Sequence, residues 1–218
     1  MKIIYQADNI YPEKLNKIYA PPAKLYMLGK DEEIFKVPSI AIIGCRECSE
    51  YGAKVAYRFA YKLAKKGICV ISGLARGIDS FAHKGAVAAN GKTIAVLGSG
   101  FLHIYPKENE LLCKQIINNN GAILTEYEQK TKPAKINFPA RNRIIAGLAD
   151  AILVVEAREK SGTLITVDMA LDQGKEVFAI PGDITKDTSH GTNELIKQGA
   201  KLVNNIDDIL EEICKNKI

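Results

Sequence analysis

Short apolar runs, partly β-branched and each ending in glycine or an arginine-bearing turn, recur along this chain and constrain its fold more than any other feature. Ile40-Ala-Ile-Ile-Gly44, Ile68-Cys-Val-Ile-Ser72 and Thr93-Ile-Ala-Val-Leu-Gly98 have the length and unbroken apolarity of parallel strands covered on both faces. Helical stretches follow the first two, at about 49–66 and at 79–90, the second with Asp79 as its cap. Further strands are predicted at 150–156, 176–180 and 201–203 with helices at 162–172, 192–198 and 207–215, and Glu126 ends another apolar strand. The alternation predicts an α/β fold: a doubly wound, mainly parallel sheet of about seven strands over residues 40–218. Residues 1–39, with prolines at 12, 21, 22 and 38 and no helical period, read as an N-terminal extension in which Tyr26-Met-Leu-Gly29 adds an edge strand.

In such sheets ligands bind at the carboxyl ends of the strands, so the turns should converge there. Residues 72–79, Ser-Gly-Leu-Ala-Arg-Gly-Ile-Asp, place Arg76 between Gly73 and Gly77 where a strand gives way to a helix. Glycines let a ligand approach the backbone, the helix start offers N–H groups, and the guanidinium supplies a fork matched to phosphate. A tight turn with a solvated arginine is the plainer alternative. Four of the six arginines, Arg46, Arg76, Arg141 and Arg143, lie in turns of this kind. Formal charge by segment is +1 for 1–39, +9 for 40–147 and −5 for 148–218, so the segment that holds the loops favours an anionic partner, nucleic acid or nucleotide.

At 218 residues, 47% hydrophobic and 25% charged, the chain can bury a core and is not disordered. No apolar stretch reaches the roughly 18 to 20 residues of a membrane span and no signal peptide opens the chain, which predicts a cytoplasmic protein. Five cysteines without a secretion signal read as free thiols. Cys45 and Cys48 form a C-x-x-C, but no thioredoxin-sized arrangement accompanies it, and the three isolated histidines offer no zinc spacing. No metal or cofactor is expected, and His83 reads as packed or as a minor ligand contact.

Taken in order, Gly44-Cys-Arg46 with Tyr51-Gly52, SGLARGID at 72–79 with Ala82-His83, TIAVLGSG at 93–100, IYPKEN at 104–109, FPARNRIIAGL at 138–148, SGTLIT at 161–166, AIPGD at 179–183 and GTNELIKQGA at 191–200 resemble the DNA-processing protein A (DprA/Smf) family over about residues 10–210. The resemblance implies an extended Rossmann-like domain that binds single-stranded DNA, forms homodimers and helps load the RecA recombinase in natural transformation or recombination, without catalysis. Its DNA site would draw on Gly44, Arg46, Ser72, Gly73, Arg76, Gly77, Lys107 and Lys135, with Phe138 stacking a base. A core role that fixes the helix start is the alternative for Phe138. Of the Arg141, Asn142 and Arg143 group, one arginine would face DNA and the other brace a loop. The dimer is expected after Pro181, including the 192–198 helix with Leu195 and Ile196, in a segment that holds no arginine loop. Cys45 stands where the family commonly has a small hydroxyl residue. The helical N-terminal and winged-helix C-terminal domains of many members have no counterpart in these residues.

Two enzyme classes compete. Gly98-Ser-Gly100 lacks the third glycine and the acidic residue of a dinucleotide site. A nucleotide-processing enzyme of the lysine-decarboxylase-like, phosphoribohydrolase type is the stronger rival, since its glycine-threonine turn resembles SGTLIT. In that type a glutamate follows the turn closely, whereas here Ile165 and Thr166 follow. Glu156 and Glu126 are the candidate substitutes, and either would equally serve to brace a loop.

Overall fold

The computed structural model describes residues 1–29 and 32–215. Nine strands among them form one sheet: Lys2–Tyr5 (β1), Lys24–Leu28 (β2), Ser39–Ile43 (β3), Cys69–Ser72 (β4), Thr93–Val96 (β5), Ala122–Thr125 (β6), Ala151–Val154 (β7), Glu176–Ala179 (β8) and Lys201–Leu202 (β9). Their order is β1-β2-β6-β5-β4-β3-β7-β8-β9. The strands from β3 to β9 pair in parallel, and β2 pairs antiparallel with both β1 and β6. The predicted doubly wound, mainly parallel sheet is therefore present, with an antiparallel ribbon on one side.

Every residue of β3, β4, β5, β6 and β7 is buried, the condition a parallel strand meets when helices cover both faces. Strand alternation then deals the side chains to two cores. Ala41 and Ile43 join a cluster with residues of Glu13–Asn16 (α1), Asn137–Leu148 (α5), Gly162–Asp172 (α6) and Asp187–Lys197 (α7). Ile40 and Ile42 meet Glu50–Lys65 (α2), Ile78–Ala88 (α3) and Asp207–Lys215 (α8) on the other face. Glu110–Asn118 (α4) packs a smaller cluster beyond β5 and β6. From β3 to β6 the chain steps in one direction across the sheet, and it then returns to lay β7 on the other side of β3. The loops after β3 and β7 consequently part, and the crevice between them is the natural ligand position of such a sheet.

Residues 1–39 are built into this sheet rather than appended to it. β2 lies between β1 and β6, so β1 is the edge strand, not residues 26–29. Ile4, Leu15, Leu25 and Met27 are fully buried. Helix α3 starts at Ile78 with Gly77 as its cap, which places Asp79 inside the first turn rather than at the cap. Leu195 and Ile196 also need correction as surface positions: Leu195 is only 9% exposed, and both pack into the core on α7. No helix among the described residues is long and apolar enough to cross a membrane.

Candidate nucleic-acid interface

Loops after β5, β4, β3 and β7, four adjacent strands, meet the start of α5 at one end of the sheet. They enclose a cavity of about 630 Å³ whose lining includes Gly44, Arg46, Lys135, Phe138, Arg158 and Lys160. A smaller recess of about 140 Å³ adjoins it, lined by Arg46, Gly73, Arg76, Tyr105, Pro106 and Phe138 among others. Arg46 and Phe138 border both spaces.

The Ser72–Gly77 loop is shaped from within. Gly77 has φ +70°, and a side chain there would run into the carbonyls of Cys45 and Arg46, so glycine lets the β4 turn close on the β3 turn. The buried Asp79 carboxylate accepts the Gly73 N–H at 3.1 Å and the Ala75 N–H at 3.3 Å. Amides expected to cradle a ligand phosphate are thus taken by an internal carboxylate. Ser72 is buried and donates to the Ile42 carbonyl at 2.7 Å. The side chain this loop presents is Arg76, exposed and forked onto Glu108 at 2.9 and 2.8 Å.

Arg141 is buried, and its Nη1 donates to the carbonyls of Gly73 and Val96, tying α5 to the ends of β4 and β5. Burial pushes its guanidinium down to about 10, with Asp79 opposing the fall. Burial likewise pushes the Asp79 carboxyl up, with Arg141 opposing. Arg143 forms a two-pronged ion pair with Glu126 at 2.8 and 2.7 Å and donates to the Ala20 carbonyl at 2.9 Å. The expectation that one of these arginines would turn to DNA and the other brace a loop meets a different arrangement, since both are committed as braces. Asn142 borders the larger cavity.

Phe138 is half-buried, with the Arg46 guanidinium 5.4 Å from its ring centre and the Tyr105 ring 5.7 Å away at 48°. Gly98 leaves room for it, because a Cβ there would stand 2.9 Å from Phe138 Cδ1. Lys135 is exposed on the cavity wall, whereas Lys107, also exposed, lies in a neighbouring turn and lines neither space. The sequence reading missed Tyr105, Arg158, Lys160 and the Ser161–Thr163 start of α6, all of which line the larger cavity. Arg158 was legible as an arginine after an apolar strand, but the negative charge of its segment concealed it.

The candidate acids of an enzyme are occupied. Glu156 is buried and accepts the Ser49 N–H at 2.9 Å and the Ser49 hydroxyl at 2.5 Å, while Glu126 holds Arg143. His83 is also structural: buried, with Nδ1 2.8 Å from the Thr93 hydroxyl, it is pushed by burial to a pKa of about 3 and stays neutral. Cys45 and Cys48 are free thiols, and burial raises the pKa of both, the reverse of what a redox nucleophile needs.

A family profile described as DNA recombination-mediator protein A matches residues 2–214. The chain is 42% identical over 208 residues to DNA processing protein DprA of Bacillus subtilis, covering 95% of this chain and 70% of that one. It is similar to the X-ray structure of DNA processing protein A from Streptococcus pneumoniae, with a TM-score of 0.91 and 42% identity over 97% of this chain and 74% of that one. A structure of DNA processing protein A from Helicobacter pylori, described for its unique single-stranded DNA binding mode, matches with a TM-score of 0.87 and 32% identity over 99% of this chain and 97% of that one.

Proposed function

The chain belongs to the DNA recombination-mediator protein A family, and from that membership we propose that it binds single-stranded DNA without catalysing a reaction on it. One observation carries the reading: Phe138 is a partly exposed aromatic that borders two adjoining recesses whose linings include the exposed cations Arg46, Arg76, Lys135 and Arg158. A stacked base needs a face free of its neighbours, which an unpaired strand offers and a duplex does not, while cations on either side meet the backbone whatever the sequence. Loading of RecA on the bound strand is part of the same proposal, and rests on the family likeness.

Fluorescence anisotropy with a labelled oligothymidylate and with a duplex of equal length, over a salt series, tests it. Single strands are expected to bind more tightly, with log affinity falling against log salt by about 0.7 per phosphate contacted. Absence of single-strand binding overturns the proposal. Release of base or ribose phosphate from nucleotides by the pure protein would instead favour the phosphoribohydrolase reading.

A further inference from the structure

The two strand-to-helix turns at the ends of β4 and β7 differ in one decisive respect. The first has its Gly73 and Ala75 amides filled by Asp79. The second, at the start of the 11-residue helix α6, is open to the larger cavity, where a Cβ at Gly162 would meet nothing within 4 Å. Ser161 caps α6 by accepting the Thr163 N–H at 3.2 Å, and Arg158 and Lys160 stand exposed just before it. Arg141, only 4% exposed and lining both recesses, donates through Nη1 to Gly73 and Val96 but keeps a buried Nε without a hydrogen-bond partner. The Arg158 contact with Glu47, 3.4 Å long and largely exposed, is of a kind worth little and is readily exchanged.

Resting on the single-strand reading above, we infer that the start of α6, with Arg158 and Lys160, is a second phosphate subsite, in the larger recess and apart from Arg76, which borders the smaller one. The position follows from the linings. Arg76 borders the smaller recess and the α6 residues border the larger one, with Arg46, Glu47, Ala75, Tyr105, Phe138 and Arg141 common to both. A strand with one base on Phe138 would then lay one phosphate toward Arg76 and another toward α6, where helix N–H groups, hydroxyls and two cations all favour an anion.

Binding of a labelled oligothymidylate over a salt series, with melting temperature measured on each variant, tests the subsite. The Arg158→Gln/Lys160→Gln double variant is expected to melt as wild type, to bind about five- to tenfold more weakly, and to show a salt slope shallower by about 0.7 to 1.4. A charge-matched control, Lys62→Gln/Lys65→Gln, with both positions exposed on α2, should lose far less. Ser161→Asp separates structure from ligand: aspartate is a good helix cap and leaves α6 stable, yet it sets a negative charge where the phosphate would sit, so affinity should fall while the melting temperature holds. Normal affinity and slope in both site variants, or an equal loss in the control, overturns the subsite while single-strand binding stands. A wild-type protein that binds no single strand removes the function and the subsite together.

Discussion

Phe138 is held by neighbours of three kinds: the bare backbone of Gly98 near its Cδ1–Cε1 edge, the Arg46 guanidinium 5.4 Å from its ring centre and the Tyr105 ring 5.7 Å away. A side chain fixed this way loses little freedom when a base stacks on it. Phe138→Ala is expected to cost about 1 to 3 kcal/mol of single-strand affinity, and Phe138→Leu to keep the fold but lose most of that energy. Titration and thermal melting of the two variants check this, and a Leu variant that binds and melts as wild type would make Phe138 a packing residue. The arginines separate by reach. Arg46 and Arg76 come from turns at the rim and are exposed, Arg76 in a solvent-facing pair with Glu108, whereas Arg141 and Arg143 start inside α5 and meet carbonyls or a largely buried carboxylate before they reach the surface.

The turn from β4 into α3 is the element on which the arrangement of loops depends. Gly77, with its positive φ, lets the β4 turn press against the Cys45 and Arg46 carbonyls, and the Ile78 N–H closes that contact on Cys45 at 3.2 Å. A methyl group at 77 meets both an unfavourable backbone region and occupied space. Gly77→Ala is expected to destabilise by about 3 kcal/mol, which for a domain of this size lowers Tm by roughly 6 to 12 °C. Single-strand affinity should fall with it, since Arg46 and Arg76 separate when the turns part. Calorimetry and binding on the same variant check both effects, and an unchanged Tm would show that the turn tolerates the side chain.

Over the whole molecule, the switch in strand order decides where the basic loops gather. The segment 148–218 is net negative, yet the loop after β7 carries Arg158 and Lys160 to the basic end of the sheet, which corrects the expectation that this segment holds no arginine loop. A homodimer built from the part of that segment after Pro181 remains our proposal. Leu195 cannot test it, because a charge there strikes the core. Ile184, 81% exposed, and Leu202, 40% exposed on the edge strand β9, are the suitable positions. Light scattering at micromolar concentration is expected to give a dimer for wild type and a lower mass for Ile184→Glu/Leu202→Glu, because a two-fold contact is struck twice by each substitution. A monomeric wild type overturns the dimer, and a variant that still dimerises places its interface elsewhere.

Strand and helix alternation, the parallel sheet and the convergence of glycine turns at its carboxyl end follow from local pattern, because apolar runs, glycines and caps act within a few residues of themselves. The resemblance to one family was carried by motifs spread over most of the chain. Two things escaped that local logic. The partner of an arginine is set by groups far away in the chain, as with Arg141 and the carbonyls 68 and 45 residues from it, so identical residue types in similar turns became braces or contacts. The first 39 residues read as an extension because their strands are short and lack a helical period, yet β2 joins the sheet through hydrogen bonds to β6 and carries β1 on its other side, a pairing that exists only once the chain has folded. The turns that lead into α3 and α6 both follow a buried strand, and what separates them is the group that takes their amides: the buried Asp79 carboxylate at Gly73 and Ala75, the Ser161 hydroxyl at Thr163.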